Sequence, residues 1–272
     1  MIRETLDELV RSLSLDPQVR AVGLSSDPLP LRREDGDLDL FVYCDEVPDA
    51  KDRALRYPAA LREDPAFRSR VFVSGFWGDA DYAEMGGIET WIMYFRARDA
   101  LLDFNAIAEG SRPSRVDGCF YPTGRLAMFK NMRVLYDADS FLLGLQTRLA
   151  AYPPLLKEAA IRDSLDELED EEDLLRASGR GDVVFFHAAV DAAVDAFLRL
   201  LYAANDTLFP SRKRVEERIA AFPLKPRDCH ARILAVFRLG CDAATLAAAF
   251  AEFRSLKEEL LALIGKGKAA LD

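Results

Sequence analysis

The stretch that decides the fold is Glu34-Asp35-Gly36-Asp37-Leu38-Asp39-Leu40-Phe41-Val42-Tyr43-Cys44. It opens on carboxylates and runs into an apolar, strand-forming segment. Side chains alternate across a strand, so Asp37 and Asp39 fall on one face and Leu38, Leu40 and Val42 on the other. Two carboxylates at i and i+2, at the mouth of a buried strand, repel each other unless something positive sits between them. A hard divalent cation such as Mg²⁺ meets that need, because it takes oxygen ligands and keeps room for substrate phosphates. An isolated Asp-x-Asp is more often a solvated strand end beside an acidic turn, so the neighbouring segments must decide between the two.

Upstream, residues 2–14 carry Ile2, Leu6, Leu9, Val10 and Leu13 as a helical stripe that Asp16-Pro17 ends. Val19 to Leu24 reads as a strand closing on the polar turn Gly23-Leu24-Ser25-Ser26-Asp27-Pro28. Downstream come a Pro-punctuated helical stretch (49–66), a strand at 70–74 and a Gly-rich acidic loop over 75–81 holding Asp79 and Asp81. In such a loop these acids are most simply turn residues, and otherwise a second source of a catalytic acid. A strand at 88–95, a helix at 98–109 and two short strand-like pieces (118–122, 125–136) complete the first half.

From Asp139 the pattern becomes helical: 140–151, a break at Tyr152-Pro153-Pro154, then a helix to about Ser178 with an acid-rich solvated face. A long apolar helix spans 182–204, and further helices cover 211–222, 226–239 and 242–264, with the Gly-Lys-Gly-Lys tail fraying. Strands first and helices afterwards predict an α+β protein in two parts: a small mixed-sheet domain over 1–138 and an all-α bundle over 139–272.

Composition narrows the function. With 272 residues there is length for a substantial core, and a hydrophobic fraction of 50% with 30% charged residues is ordinary for a soluble protein. The net charge of −10 argues against broad nucleic-acid or anionic-membrane binding, leaving only a local basic groove open. Cys44, Cys119, Cys229 and Cys241 show no zinc-like spacing and read as reduced thiols of a cytoplasmic protein. The amphipathic, acidic N-terminus is unlike a signal peptide, and no apolar run is long enough to span a bilayer. The sequence leaves a homodimer open.

A strand, a small-residue turn and a second strand bearing Asp-x-Asp form the front end of a phosphoryl-transfer site. Turn N–H groups can cradle phosphate oxygens, and paired aspartates can hold Mg²⁺ against a triphosphate. The arrangement over residues 19–44 resembles the polymerase-beta-like nucleotidyltransferase superfamily. By that resemblance Asp37 and Asp39 ligate metal, and Gly23 with Ser25 or Ser26 contacts phosphate, although the Asp27–Arg33 segment departs from the superfamily's usual turn. In the second half, Leu135-Tyr136-Asp137-Ala138-Asp139, the Tyr152-Pro153-Pro154 break and Asn205-Asp206-Thr207-Leu208-Phe209-Pro210-Ser211-Arg212-Lys213-Arg214 resemble an uncharacterised bacterial family. In it, such a domain precedes a helical one related to that of kanamycin nucleotidyltransferase.

The resemblance implies a third acid on the strand after the Trp-Gly loop, where this chain has Trp91. Glu89, two residues earlier on the same face, either supplies that acid and joins the metal set, or the site lacks its base. On the 182–204 helix, His187, Asp191, Asp195 and Arg199 recur every four residues. Alone they read as a solvent stripe. By resemblance to the kanamycin-type enzymes, Asp191 and Asp195 become candidates for accepting a proton from the acceptor substrate. Lys213, between Arg212 and Arg214, reads as surface charge or as a phosphate contact.

These readings lead to a Mg²⁺-dependent nucleotidyltransferase, moving a nucleoside monophosphate from a triphosphate to a hydroxyl of an unidentified small molecule or protein. A degenerate nucleotide binder is the alternative. A third class is a HEPN-type ribonuclease, which the spacing of Arg180 and His187 fits loosely and which the acidity of the chain disfavours.

Overall fold

The structure is a computed structural model that describes residues 2–25, 36–71, 78–111 and 121–269. The chain divides into two compact units, one of residues 1–108 with 125–151 and the other of residues 109–124 with 152–272.

The first unit is built on a six-stranded sheet. Its strands are β1 (Val19–Leu24), β2 (Leu38–Cys44), β3 (Arg68–Val71), β4 (Asp79–Met85), β5 (Ile88–Arg96) and β6 (Arg133–Asp137), ordered β3-β4-β5-β2-β1-β6. All neighbours run antiparallel except β2 and β5. That central pair is buried from both sides. On one face Leu38, Leu40 and Val42 meet Ile92, Leu6, Leu9 and Leu13 of α1 (Ile2–Ser14), together with Tyr57 and Leu61 near α2 (Ala50–Leu55) and α3 (Ala59–Arg62). On the other, Tyr43 packs against Phe95, Phe129 and Phe141, and Phe129 packs against Phe104, rings carried by β5, α4 (Ala97–Ala108), α5 (Pro122–Asn131) and α6 (Phe141–Arg148). The period-two alternation read from 37–44 therefore describes β2 correctly, with apolar layers on both sides.

Within this unit, three elements differ from the sequence expectation. Residues 122–131 form α5 rather than a strand-like piece: Pro122 suits the first turn of a helix, and Leu126 and Phe129 bury on one side of it. Asp79–Met85 is a strand, not loop, because Ala80, Asp81, Tyr82 and Ala83 are all buried. α6 belongs with the sheet, packing on β6 and β1, so this unit extends past the expected boundary at 138 to Ala151, beside the Tyr152-Pro153-Pro154 break.

The second unit is helical: α7 (Pro154–Glu169), α8 (Glu172–Arg180), α9 (Val183–Ala204), α10 (Val215–Ala221), α11 (Cys229–Leu239) and α12 (Leu246–Ala269). Asp170 accepts from the Glu172 backbone N–H at 3.1 Å, which divides the expected single helix over 154–178 into α7 and α8. The core centres on α9, whose Phe186, Val190, Val194, Phe197 and Leu201 are buried against α8, α11 and α12. α12 runs through the Gly-Lys-Gly-Lys segment expected to fray. Among the described residues, no helix is long and apolar enough to cross a membrane.

Candidate functional site

Asp39 lies near the start of β2, half-buried, with Asp37 exposed just before the strand. The end of β1 joins them: Ser25 N–H donates to the Asp39 carbonyl at 3.0 Å, and the Ser25 hydroxyl lies 3.4 Å from Asp39 Oδ2. On the other flank, the parallel register sets Trp91 beside Asp39 and Thr90 beside Leu38. Glu89 shares the Trp91 face and accepts the Trp91 indole N–H at 3.0 Å, while the Tyr82 ring meets Trp91 edge-on at 5.0 Å. One sheet face thus presents, across three neighbouring strands, a hydroxyl, a carboxylate and an indole holding a second carboxylate.

The other turn residues fare differently. Gly23 sits inside the ladder, paired with Phe41 on one side and Val134 on the other, and a Cβ there would overlap Met132 Sδ and Cγ. Its smallness makes room for a packed methionine, so the geometry gives Gly23 a packing role rather than a phosphate contact. Ser26 lies outside the described residues.

The donor chemistry at Asp37 and Asp39 suits a hard cation such as Mg²⁺: carboxylate oxygens at the end of a strand, with the Ser25 hydroxyl alongside. Among the described residues, however, no three His, Cys, Asp or Glu side chains are gathered to hold a metal ion. The aspartates and Glu89 therefore do not form a three-carboxylate set.

Two networks escaped the sequence reading. The first, within the sheet unit, surrounds Asp81, which is 0% exposed. Arg53, itself 1% exposed, forks onto it with Nε to Oδ2 at 2.9 Å and Nη2 to Oδ1 at 3.0 Å, and also donates to the Pro48 carbonyl at 2.9 Å. The Tyr57 hydroxyl donates to Asp81 and lies 2.6 Å from that of Tyr94. Burial, reinforced by Asp81, pushes both tyrosines well above their usual range. Asp79 joins more loosely, 3.4 Å from Arg53. These acids are structural partners on a strand, not turn residues. The flanking glycines hid that, and a short charged helix gave no sign that Arg53 turns inward.

The second network lies in the helical unit. Arg212 Nε and Nη2 donate to Asp195 Oδ1 at 2.9 and 2.7 Å, Nη1 pairs with the Asp191 carboxylate, and Nη2 also reaches the Asp191 carbonyl at 2.8 Å. The Tyr121 hydroxyl donates to the same Asp195 oxygen, and Arg199 Nε stands 3.7 Å from the other one. Burial first, then Asp195, pushes Tyr121 up to about 12. Burial opposes the charge on Arg212, and its bonds to Asp191 and Asp195 outweigh that and raise its pKa. Asp195 is 5% exposed, so the four-residue recurrence on α9 is not a solvent stripe. Arg212 is the residue that gathers the cluster, and sequence reasoning saw it only as a flank of Lys213. Lys213 itself is exposed, its backbone N–H donating to Ser211 at 3.2 Å. His187 lies apart from this cluster, stacked on Phe237 and 4.0 Å from Cys241.

Comparison with known proteins adds the following. No curated protein matches the chain. Among solved structures, it is similar to a nucleotidyltransferase-like protein from Exiguobacterium sibiricum 255-15, at 10% identity and a TM-score of 0.48, over 98% of this chain and 78% of that one. Residues 120–213 match a family described as a domain of unknown function, DUF4037, a span that takes in Tyr121, Asp191, Asp195 and Arg212.

Proposed function

We propose that the protein is a Mg²⁺-dependent nucleotidyltransferase that moves a nucleoside monophosphate from a triphosphate to an acceptor hydroxyl. The observation that supports this reading best is the junction at Asp39, where the turn after β1 and the Asp-x-Asp of β2 meet through both the backbone and the hydroxyl of Ser25. In this reading Asp37 and Asp39 hold the metal, which when bound would neutralise the triphosphate charge and favour attack at the α-phosphorus. Ser25 holds Asp39 through its backbone N–H, and its hydroxyl turns from Asp39 to donate to a phosphate oxygen. Glu89 receives the proton of the acceptor hydroxyl as its oxygen bonds to phosphorus and pyrophosphate departs. Asp191 and Asp195, bound to Arg212, act on the shape of the helical unit rather than as free bases. The net charge of −10 favours a cationic small molecule over RNA or DNA as acceptor.

A second reading, a nucleotide binder without turnover, draws on Trp91, whose indole occupies Glu89 beside Asp39. Calorimetry with Mg²⁺ and each nucleoside triphosphate, repeated with Asp39→Asn, tests binding. Radiolabelled triphosphate followed by mass spectrometry then tests transfer. Binding lost in Asp39→Asn together with a labelled acceptor supports the transferase, binding without any labelled product supports the second reading, and no binding by the folded protein refutes both.

A further inference from the structure

The face of the sheet that carries Asp39 is covered unevenly. Successive side chains on this face are Asp39, Phe41 and Tyr43 of β2, beside Trp91, Met93 and Phe95 of β5. Phe41, Tyr43, Met93 and Phe95 are buried, and the rings of Phe129 and Phe141 pack against Tyr43. The packed layer ends at Phe41 and Met93, and the next pair along the face, Asp39 and Trp91, is half-buried and keeps contact with solvent. An indole at such a margin offers apolar area that a further planar group would cover. The ring is also held in place. Tyr82, buried and directly across β4 from it, meets it edge-on with 68° between the ring planes, and its N–H is bonded to Glu89 at 3.0 Å. The bond to Glu89 lies in the ring plane, and an edge-on partner takes at most one of the two faces. Two anchors fix the tilt and rotation of the indole, so little freedom is lost when a second ring lies on it.

We infer that the Trp91 ring is the platform on which the base of the bound nucleotide stacks, and that the site prefers purine nucleoside triphosphates. The inference rests on the nucleotide reading of the Asp39 site, with or without turnover. Adjacent strands lie about 4.8 Å apart, so Trp91 starts one strand spacing from Asp39. In a nucleoside triphosphate the sugar alone separates the α-phosphate from the base. Phosphates held at Asp37 and Asp39 therefore leave the base within reach of the neighbouring strand. Every base has a π-face to offer an aromatic ring, and the fused rings of a purine cover an indole more fully than the single ring of a pyrimidine. Stacking also asks for no charged partner, which suits a face whose acids, Asp39 and Glu89, would repel an anionic group brought close without a cation.

Calorimetry on the intact protein with Mg²⁺ compares purine triphosphates, pyrimidine triphosphates and inorganic tripolyphosphate. Purine triphosphates are expected to bind at least about fivefold more tightly than tripolyphosphate, the low end of what one stacked base contributes, with pyrimidine triphosphates between. Trp91→Leu keeps an apolar side chain against Tyr82. It is expected to lose the purine advantage and to bind tripolyphosphate as the parent does. Trp91→Phe keeps a ring, so it should retain part of the advantage but lose the quenching of tryptophan emission that purine binding causes in the parent. Circular dichroism checks that both variants are folded. Purines that bind no better than tripolyphosphate overturn the inference and leave the phosphate site standing. A purine advantage that survives in Trp91→Leu overturns it too, as does a loss there that extends equally to tripolyphosphate, or quenching that persists in Trp91→Phe. If neither tripolyphosphate nor any nucleotide binds, the reading of the Asp39 site fails and this inference with it.

Discussion

Trp91 stands beside Asp39 across the parallel pair β2 and β5, and its indole N–H is bonded to Glu89. A ring therefore occupies the register position beside the metal-binding candidate, and its N–H holds the Glu89 carboxylate. Replacing it with Asp places a carboxylate there and frees Glu89. Trp91→Asp is expected to raise nucleotidyl transfer by about a hundredfold, the low end of what a positioned base contributes. The check is transfer of label from radioactive triphosphate, with circular dichroism to confirm folding. Equal or lower turnover in a folded variant would refute a limiting role for the ring.

Asp81 and Arg53 form a buried pair with both partners fully hydrogen-bonded. Removing one partner leaves a buried charge, so Arg53→Met is expected to cost about 3–5 kcal/mol. Arg53→Met with Asp81→Leu together should cost clearly less than the two single changes added. Urea denaturation of the three variants measures both numbers, and additive single effects would contradict coupling through this pair.

Asp195→Ala is expected to destabilise the helical unit by about 3 kcal/mol, because Arg212 and Tyr121 lose a shared acceptor. Asp195→Asn keeps an acceptor oxygen and should retain part of that stability. Thermal unfolding of both variants decides the matter. An alanine variant as stable as the parent would show that Arg212 finds an equivalent partner.

Gly23→Ala introduces a Cβ into the space of Met132 Sδ and Cγ. Overpacking of this kind costs about 1–3 kcal/mol. The loss is expected to be largely recovered by Met132→Ala in the same chain, beyond what that change does alone. A double-mutant cycle in urea reads the coupling directly, and zero coupling would refute steric exclusion as the reason for glycine at this position.

Glu171 lies between α7 and α8, where Arg254 and Lys257 of α12 both bind it. Partial burial pushes its carboxyl up, but these bonds outweigh that and hold its pKa below the usual range. A carboxyl with a lowered folded pKa stabilises the fold fully above its unfolded value, and that contribution is lost as pH falls through the folded value. The urea midpoint should therefore fall on acidification, starting from roughly pH 5 downward. Glu171→Gln should show a shallower decline than the parent, and an identical pH profile in the two proteins would remove Glu171 as a cause.

The legibility of this chain depended on where the determining contacts were local. β2 was readable because its alternation and its leading aspartates lie in one short stretch, Asp37 just before the strand and Asp39 within it. The helical half was readable from apolar periodicity, as the buried residues of α9 show. The boundary near 138 was misplaced because α6 packs back on β6 and on β1, more than 100 residues upstream, and no local pattern records that. α5 was missed since its apolar residues lack a clean stripe, packing as it does beneath a sheet and beside neighbouring helices. Arg53, Tyr121 and Arg212 were missed, and Asp81 was read as a turn residue, for a single reason: each is a polar residue whose partner lies far along the chain. Asp191 and Asp195 drew notice through their spacing, yet the spacing could not say that a guanidinium from the loop before α10 would claim them.

The interleaved division of the chain bears on how it is made. Tyr121 leaves the ribosome about 70 residues before Asp195 and about 90 before Arg212, while the sheet still awaits β6. At no point in synthesis does a contiguous piece contain one complete unit before part of the other has appeared. A protein cut at 138 or at 151 would strand Tyr121 in the first fragment, away from the carboxylate it serves. The two halves are thus expected to fold poorly when expressed apart and to regain structure when expressed together.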